Sequence, residues 1–147
     1  MSTTNALVAA ARDGDLRQIK ALAKQCDINA RDEIGWCALH RAAVHGQVAS
    51  LRCLVANGAD LNAVDDNGET VMHGAAYKHF PDVVELVYEA GADIAVWNQE
   101  NRQGWTPLDI VEGGIHVGMN ILKSAPTAAA IREVMAREGV EPAPQPR

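Results

Sequence analysis

The chain is predicted to be an all-α array of stacked repeats, and three observations predict it. Residues 35–67 can be laid over the stretch beginning at Gly68 with a constant offset of 33 positions. Gly35 then falls on Gly68, His40 on His73, Ala42-Ala43 on Ala75-Ala76 and Gly58-Ala59-Asp60 on Gly91-Ala92-Asp93. A fixed period of this size marks a protein built from stacked supersecondary units. Within each copy the apolar residues recur at helical spacing, as in Val48, Leu51, Leu54 and Val55, or Val83, Val84, Leu86 and Val87. The composition fits thin helices packed through small side chains, with 48% apolar residues but only 4% aromatics.

Taken in order, the first unit is degenerate, ALVAAARDGDLRQIKALAKQCDINARDE, with helices expected at 5–12 and 15–25. Arg12, Asp13, Asp15, Arg17, Gln18 and Lys20 surround those helices and give a polar cap for one end of the stack. The second unit is expected to place helices at 38–45 and 48–57, the latter closed by Gly58, where a left-handed residue costs a glycine little. The third follows at 71–78 and 81–90, with Pro81 suited to the first helical turn and Gly91 at the end. A fourth unit opens at Gly104 with GWTPLDI, giving helices at 106–112 and 126–138, the second starting at Pro126. The repeats are thus bounded at about 5–34, 35–67, 68–103 and 104–139, forming one domain over 1–139. Three prolines within 141–147 mark a disordered tail from 140 onward.

The pattern Cys37-Ala38-Leu39-His40, Thr70-Val71-Met72-His73 and Thr106-Pro107-Leu108-Asp109, with the repeated Gly-Ala-Asp closing signature, resembles the ankyrin repeat family over nearly the whole chain. The resemblance implies an ankyrin-repeat solenoid of helix-turn-helix units with short β-hairpin-like fingers. About four repeats are expected, two of them atypical caps, in a single-domain array of the bacterial type. It also implies that the motif histidines His40 and His73 hydrogen-bond the neighbouring turn, so each is expected to be structural. Cys37 stands in for the motif threonine and is expected to keep a weak version of its turn hydrogen bond. Cys26 and Cys53 read as packing thiols, and no cysteine is expected to form a nucleophile pair with a histidine.

Function is then sought in departures from the frame. Trp36, Trp97 and Trp105 are the only tryptophans, and each falls at a position the family leaves variable. By the resemblance these positions line the fingers and the concave face, together with Val44, His45, Glu69, Tyr77, Lys78 and Arg102. Aromatics gathered on an exposed face have the character of a binding hot spot, since they bury much area at small entropic cost. The alternative is that Trp36 and Trp105 only shield adjacent hairpins.

Two insertions point to the same end. The span from Gly68 to Gly104 is 36 residues, and its three extra residues are assigned to residues 98–103, a third finger that projects further. About twelve more residues separate the last two helices, within 113–125. This loop carries Ile115, Val117, Met119, Ile121 and Leu122, so it is expected to fold back over the concave face or the terminal helix. As a lid over Tyr77, Trp105, Glu112 and His116 it would close a small pocket, with Glu112 and His116 as an acid–base pair.

The favoured reading is a protein–protein interaction module, an adaptor or inhibitor, that is not an enzyme and has no catalytic or metal-ligating residues and no cofactor. The alternative is a small-molecule-binding protein or enzyme closed by the 113–125 loop. The partner is expected to be another protein. A net charge of −6 argues against nucleic acid, and no apolar run reaches the roughly 18 residues of a membrane span. A monomer is expected, with self-association through 113–125 as the other possibility. Three cysteines at irregular spacing give neither a disulfide framework nor a zinc pattern, which suits a reducing cytoplasm.

Overall fold

The computed structural model describes residues 2–78, 81–91, 93–112, 115–117, 120–122 and 124–144, with the backbone alone at 78, 95, 115–117 and 120–122. Helices pair off along the chain: α1 (Thr3–Asp13) with α2 (Leu16–Leu22), α3 (Ala38–Val44) with α4 (Val48–Ala56), α5 (Val71–Lys78) with α6 (Pro81–Glu89) and α7 (Pro107–Glu112) with α8 (Ala125–Arg137). The first helices of the pairs stack on one another as an inner layer, α1 on α3 on α5 on α7, and the second helices form an outer layer in the same order. Every expected helix is present, with bounds shifted by at most three residues.

Local chemistry sets these bounds. Ser2 Oγ accepts the Asn5 N–H at 3.1 Å, Asp15 Oδ1 accepts that of Gln18 at 3.1 Å, and Ser124 Oγ accepts that of Thr127 at 3.4 Å, satisfying donors the helices leave open. At the outer-helix ends Gly58 and Gly91 both sit at φ 92°, a conformation that strains any side chain. The Ala42-Ala43 and Ala75-Ala76 pairs are fully buried, which lets the inner helices approach closely. Gly74 continues this: a Cβ there would lie 3.0 Å from Val44 Cγ2. The core between the layers is Leu7, Ile19, Leu39, Leu51, Leu54, Met72, Val83, Ile110, Ile131 and Met135.

Three features differ from the sequence expectation. The segment read as a long loop contains a two-stranded antiparallel hairpin, β1 (Ile115–Val117) paired with β2 (Asn120–Leu122), which lies against α7. Met119 and Lys123 of that segment, like His79, lie outside the described residues.

The second difference is where repeat three carries its extra residues. Asp65 and Asn101 each stand three positions before the tip glycine, so the excess precedes Asn101. It is absorbed by a short 3-10 helix, Ile94–Asn98. The third finger tip therefore has the same length as the second, and the expectation of a longer tip is corrected.

The third difference is in the tail. Asn98 Nδ2 donates to the Glu141 carbonyl at 2.8 Å and its Oδ1 accepts the Ala143 N–H at 2.9 Å, so 141–143 is tied to the third finger where disorder was expected. Asn98 repeats the work of Asn29, which accepts from Asp60 N–H at 2.8 Å, and of Asn62, which accepts from Asp93 N–H at 3.0 Å. Residues 145–147 of the expected tail lie outside the described residues.

Candidate binding surface

Each finger tip is built by one side-chain cap. Asp32 Oδ1 accepts the N–H groups of Ile34 at 2.9 Å and Trp36 at 3.0 Å. Asp65 Oδ1 does the same for Asn67 at 2.8 Å and Glu69 at 2.9 Å, and Asn101 Oδ1 for Gln103 at 3.0 Å and Trp105 at 3.1 Å. Aspartate and asparagine are interchangeable here because the turn requires only an acceptor two residues before the first N–H. Gly35 is held in this frame at φ 88°, and the Asp66 carboxylate occupies the space a side chain would need.

The motif histidines fasten each finger to the next. His73 Nδ1 accepts the Thr70 N–H at 3.0 Å, so Nε2 carries the proton and donates to the Trp105 carbonyl at 2.9 Å. Burial pushes the imidazole down to about 4. His40 Nε2 lies 3.0 Å from the Glu69 carbonyl, making the same link one repeat earlier. Asp109 occupies the position in repeat four and accepts the Thr106 N–H at 2.8 Å. A carboxylate caps that turn without the N–H donor that passes the link onward in the other two repeats.

On this scaffold four of the expected residues come together or adjoin. Tyr77 Oη donates to Glu69 Oε1 at 2.7 Å, and Asn101 Nδ2 donates to the same oxygen at 3.2 Å and lies 3.3 Å from Tyr77 Oη. Burial, then the Glu69 carboxylate, pushes the Tyr77 phenol up, so it remains a donor. Through Oδ1 the same Asn101 fixes the backbone of Trp105, which is half-buried. Arg102, at the tip beside it, is exposed, and its N–H donates to the Asn67 carbonyl at 2.9 Å. Asn101 was not singled out from the sequence; its spacing to Gly104, matching Asp65 to Gly68, is the signal that could have found it.

Trp36 forms a separate centre. It is half-buried, and the Arg41 guanidinium lies 4.3 Å from its ring centroid while also reaching Asp32 Oδ2 at 3.7 Å. Ile34 at the same tip is 66% exposed. Val44 is half-buried on α3 and His45 is exposed at its end, on the inner-helix layer that also carries Tyr77. Lys78 ends α5, but its side chain lies outside the described residues, as does that of His116 in β1.

Two expectations are overturned. Trp97 is 2% exposed, buried with Ile94 in the 3-10 helix against the core, so it is not part of an exposed face. Placing the inserted residues before Asn101 turns Trp97 inward. Cys37 and His40 do pair: Sγ lies 2.6 Å from Nδ1. Three positions along the start of a helix are enough to bring the ring back over the residue that precedes it.

Glu112 is engaged elsewhere than the acid–base reading requires. Arg132 of α8 binds both its carboxylate oxygens, Nη2 to Oε2 at 2.5 Å and Nε to Oε1. That clamp ties the carboxylate to the terminal helix. Among the described residues no group of three or more His, Cys, Asp or Glu is placed to hold a metal ion, and no helix is long and apolar enough to cross a membrane.

Comparison with known proteins gives the geometry a lineage. A family model described as ankyrin repeats (3 copies) matches residues 7–98. The mouse protein phosphatase 1 regulatory subunit 27 is 30% identical over 103 residues, covering 69% of this chain and 65% of that protein. The Arabidopsis thaliana E3 ubiquitin-protein ligase KEG is 32% identical over 132 residues, which is 76% of this chain and 8% of the ligase. The Medicago truncatula protein VAPYRIN-LIKE is 38% identical over 93 residues, 63% of this chain and 19% of that protein. The chain thus spans less than two thirds of the length of each of these relatives. The 33-residue period, the finger-to-finger histidine links and the family match over residues 7–98 together establish that the chain belongs to the ankyrin repeat family.

Proposed function

We propose that this protein is a protein–protein interaction module, an adaptor or inhibitor, that holds a protein partner against the fingers and inner helices of repeats two to four. The observation that carries this reading is the Tyr77–Glu69–Asn101 network, which rigidly ties a half-buried tyrosine on an inner helix to the finger bearing the half-buried Trp105. Pre-ordered aromatics lose little entropy when a partner covers them. The similarity to a phosphatase regulatory subunit supports an interaction role over a catalytic one. No observation favours the enzyme alternative, because Glu112 is bound by Arg132.

The test is affinity capture from native lysate, identification of the protein retained, and calorimetry with the purified pair. Trp105→Ala is expected to weaken binding at least about thirty-fold, the loss usual for an interfacial aromatic anchor. Unchanged affinity for folded Trp105→Ala and Tyr77→Phe variants would reject the surface. So would protection from hydrogen exchange confined to α4 and α6 in the complex.

A further inference from the structure

Repeats two and three carry related hydrogen-bond devices in which a hydroxyl is exchanged for a thiol. In repeat three the Thr70 hydroxyl lies 3.0 Å from His73 Nδ1, and His73 Nε2 lies 2.9 Å from the Trp105 carbonyl. In repeat two the hydroxyl is replaced by the Cys37 thiol, 2.6 Å from His40 Nδ1, with His40 Nε2 3.0 Å from the Glu69 carbonyl. A nucleophile, a base within hydrogen-bond reach and a third group orienting the base are the parts that activate a thiol. Threonine in that frame is inert at neutral pH; cysteine is not. We propose that Cys37 is a redox-modification site, whose thiolate, paired with His40, is oxidised by hydrogen peroxide.

The step balances. Cys37 Sγ attacks one peroxide oxygen, the S–O bond forms as the O–O bond breaks, and sulfur is oxidised to a sulfenic acid while peroxide is reduced. The departing hydroxide takes the proton from His40 Nδ1 and leaves as water. Burial is the strongest single influence and opposes both charged forms. The Cys37–His40 hydrogen bond, the attraction between the two charged forms and smaller backbone and charge contributions together outweigh it, holding the thiol below and the imidazole above their ordinary values. Asp65 favours the protonated form of His40, and His73, on the neighbouring inner helix α5, is another titratable group that interacts with it. His73, which has a hydroxyl partner, is shifted the other way.

Cys37 is 3% exposed, so reagent reaches it when the first finger lifts. That tip is held to the second finger by one long backbone bond, Asp66 N–H to Gly35 carbonyl at 3.4 Å, and by the exposed Arg31, which pairs with Asp66 and donates to the Val64 carbonyl. The Arg31 and Asp66 side chains are about half exposed, so lifting the finger breaks surface contacts there and separates Trp36 and Asp32 from Arg41, a local opening rather than a global one. The Cys37–His40 pair is local in sequence and survives it. Once formed, the sulfenic oxygen has no room within a 2.6 Å contact, so the His40 ring is displaced from the Glu69 carbonyl. Glu69 is also the acceptor for Tyr77 and Asn101, so oxidation would loosen the proposed binding surface; that consequence rests on the proposed function, whereas the chemistry at Cys37 does not.

The purified chain is treated with iodoacetamide, or with hydrogen peroxide and the sulfenic-acid trap dimedone, and Cys26, Cys37 and Cys53 are followed separately by peptide mass spectrometry. The rate at Cys37 in folded protein is divided by its rate in denaturant at each pH. This ratio is expected to be several-fold higher at pH 6 than at pH 9, because a thiol held below its ordinary value keeps a larger ionised share than the unfolded one as pH falls. A ratio independent of pH would mean that Cys37 reacts as an ordinary thiol from an opened state, and would overturn the proposal. His40→Gln keeps an amide donor for the Glu69 carbonyl and should flatten the ratio; a persisting pH dependence in that variant would also overturn it. Peroxide is expected to raise hydrogen exchange at residues 66–69 and 101–105 in the native chain and not in Cys37→Thr. Equal rises in both would remove Cys37 as the cause, while oxidation at Cys37 with no rise would leave the chemistry intact and refute the coupling.

Discussion

Replacing Trp97 with alanine is expected to lower the stability of the array by about 4 kcal/mol, the loss typical of truncating a buried tryptophan. The indole is 2% exposed and sits with Ile94 in the 3-10 helix that absorbs the extra residues of repeat three. This helix packs against α7, so the cavity would open between the third finger and the fourth repeat. Truncation removes the transfer energy of the ring, and the helices around it are too tightly stacked to close the space. Urea denaturation provides the measurement, with a lowered midpoint at unchanged slope as the result. Trp105→Ala, at a half-buried site, should cost much less stability while weakening partner binding. If Trp97→Ala stayed as stable as the parent and lost only binding, Trp97 would be a surface anchor after all.

The contrast between these tryptophans shows where sequence reading succeeds. Helices are legible because an apolar stripe, a capping residue and a closing glycine agree at each end, and the 33-residue offset checks one repeat against another. The position of an insertion is harder. Aligning on glycines alone leaves the three extra residues free to slide between Asp93 and Gly104. The capping acceptors Asp32, Asp65 and Asn101 fix them, because each must stand four residues before the N–H it binds. Treating Asp and Asn as equivalent would have moved the insertion ahead of Asn101 and carried Trp97 inward. The asparagines Asn29, Asn62 and Asn98 give the same register independently.

The hairpin had a signal too. Ile115 and Val117 alternate with His116, and two residues including Gly118 separate β1 from β2, which is strand patterning around a short turn. The Cys37–His40 pair was missed for a different reason: a threonine position occupied by cysteine reads as a weakened turn bond, and only the 2.6 Å distance reveals a thiol beside a base. The Tyr77–Glu69–Asn101 network depends on neighbouring repeats meeting in space, which no single repeat discloses.

Acidification is expected to destabilise the fold through His73, and removing that ring should abolish this part of the pH dependence. The imidazole is fully buried, bound at Nδ1 by the Thr70 N–H and at Nε2 to the Trp105 carbonyl. Burial lowers its folded value to about 4 from an ordinary 6.5. Above pH 6.5 the ring is neutral in both folded and unfolded chains, and the contribution is constant. Between pH 6.5 and about 4 the unfolded chain takes up a proton that the folded chain refuses, so stability falls with pH. At about 1.4 kcal/mol per unit the accumulated loss reaches about 3 kcal/mol near pH 4. Carboxylates titrate over the lower part of this range, so the diagnostic quantity is the difference between native chain and His73→Ala, measured by urea denaturation at half-unit steps. At pH 7 the variant should be about 3 kcal/mol less stable, since the Thr70 N–H and the Trp105 carbonyl lose their partner. That gap should close as pH falls toward 4, because the variant has no ring to protonate in its unfolded state. A gap that stayed constant from pH 7 to 4 would mean that His73 titrates normally in the folded protein, and that the finger link tolerates a charged ring.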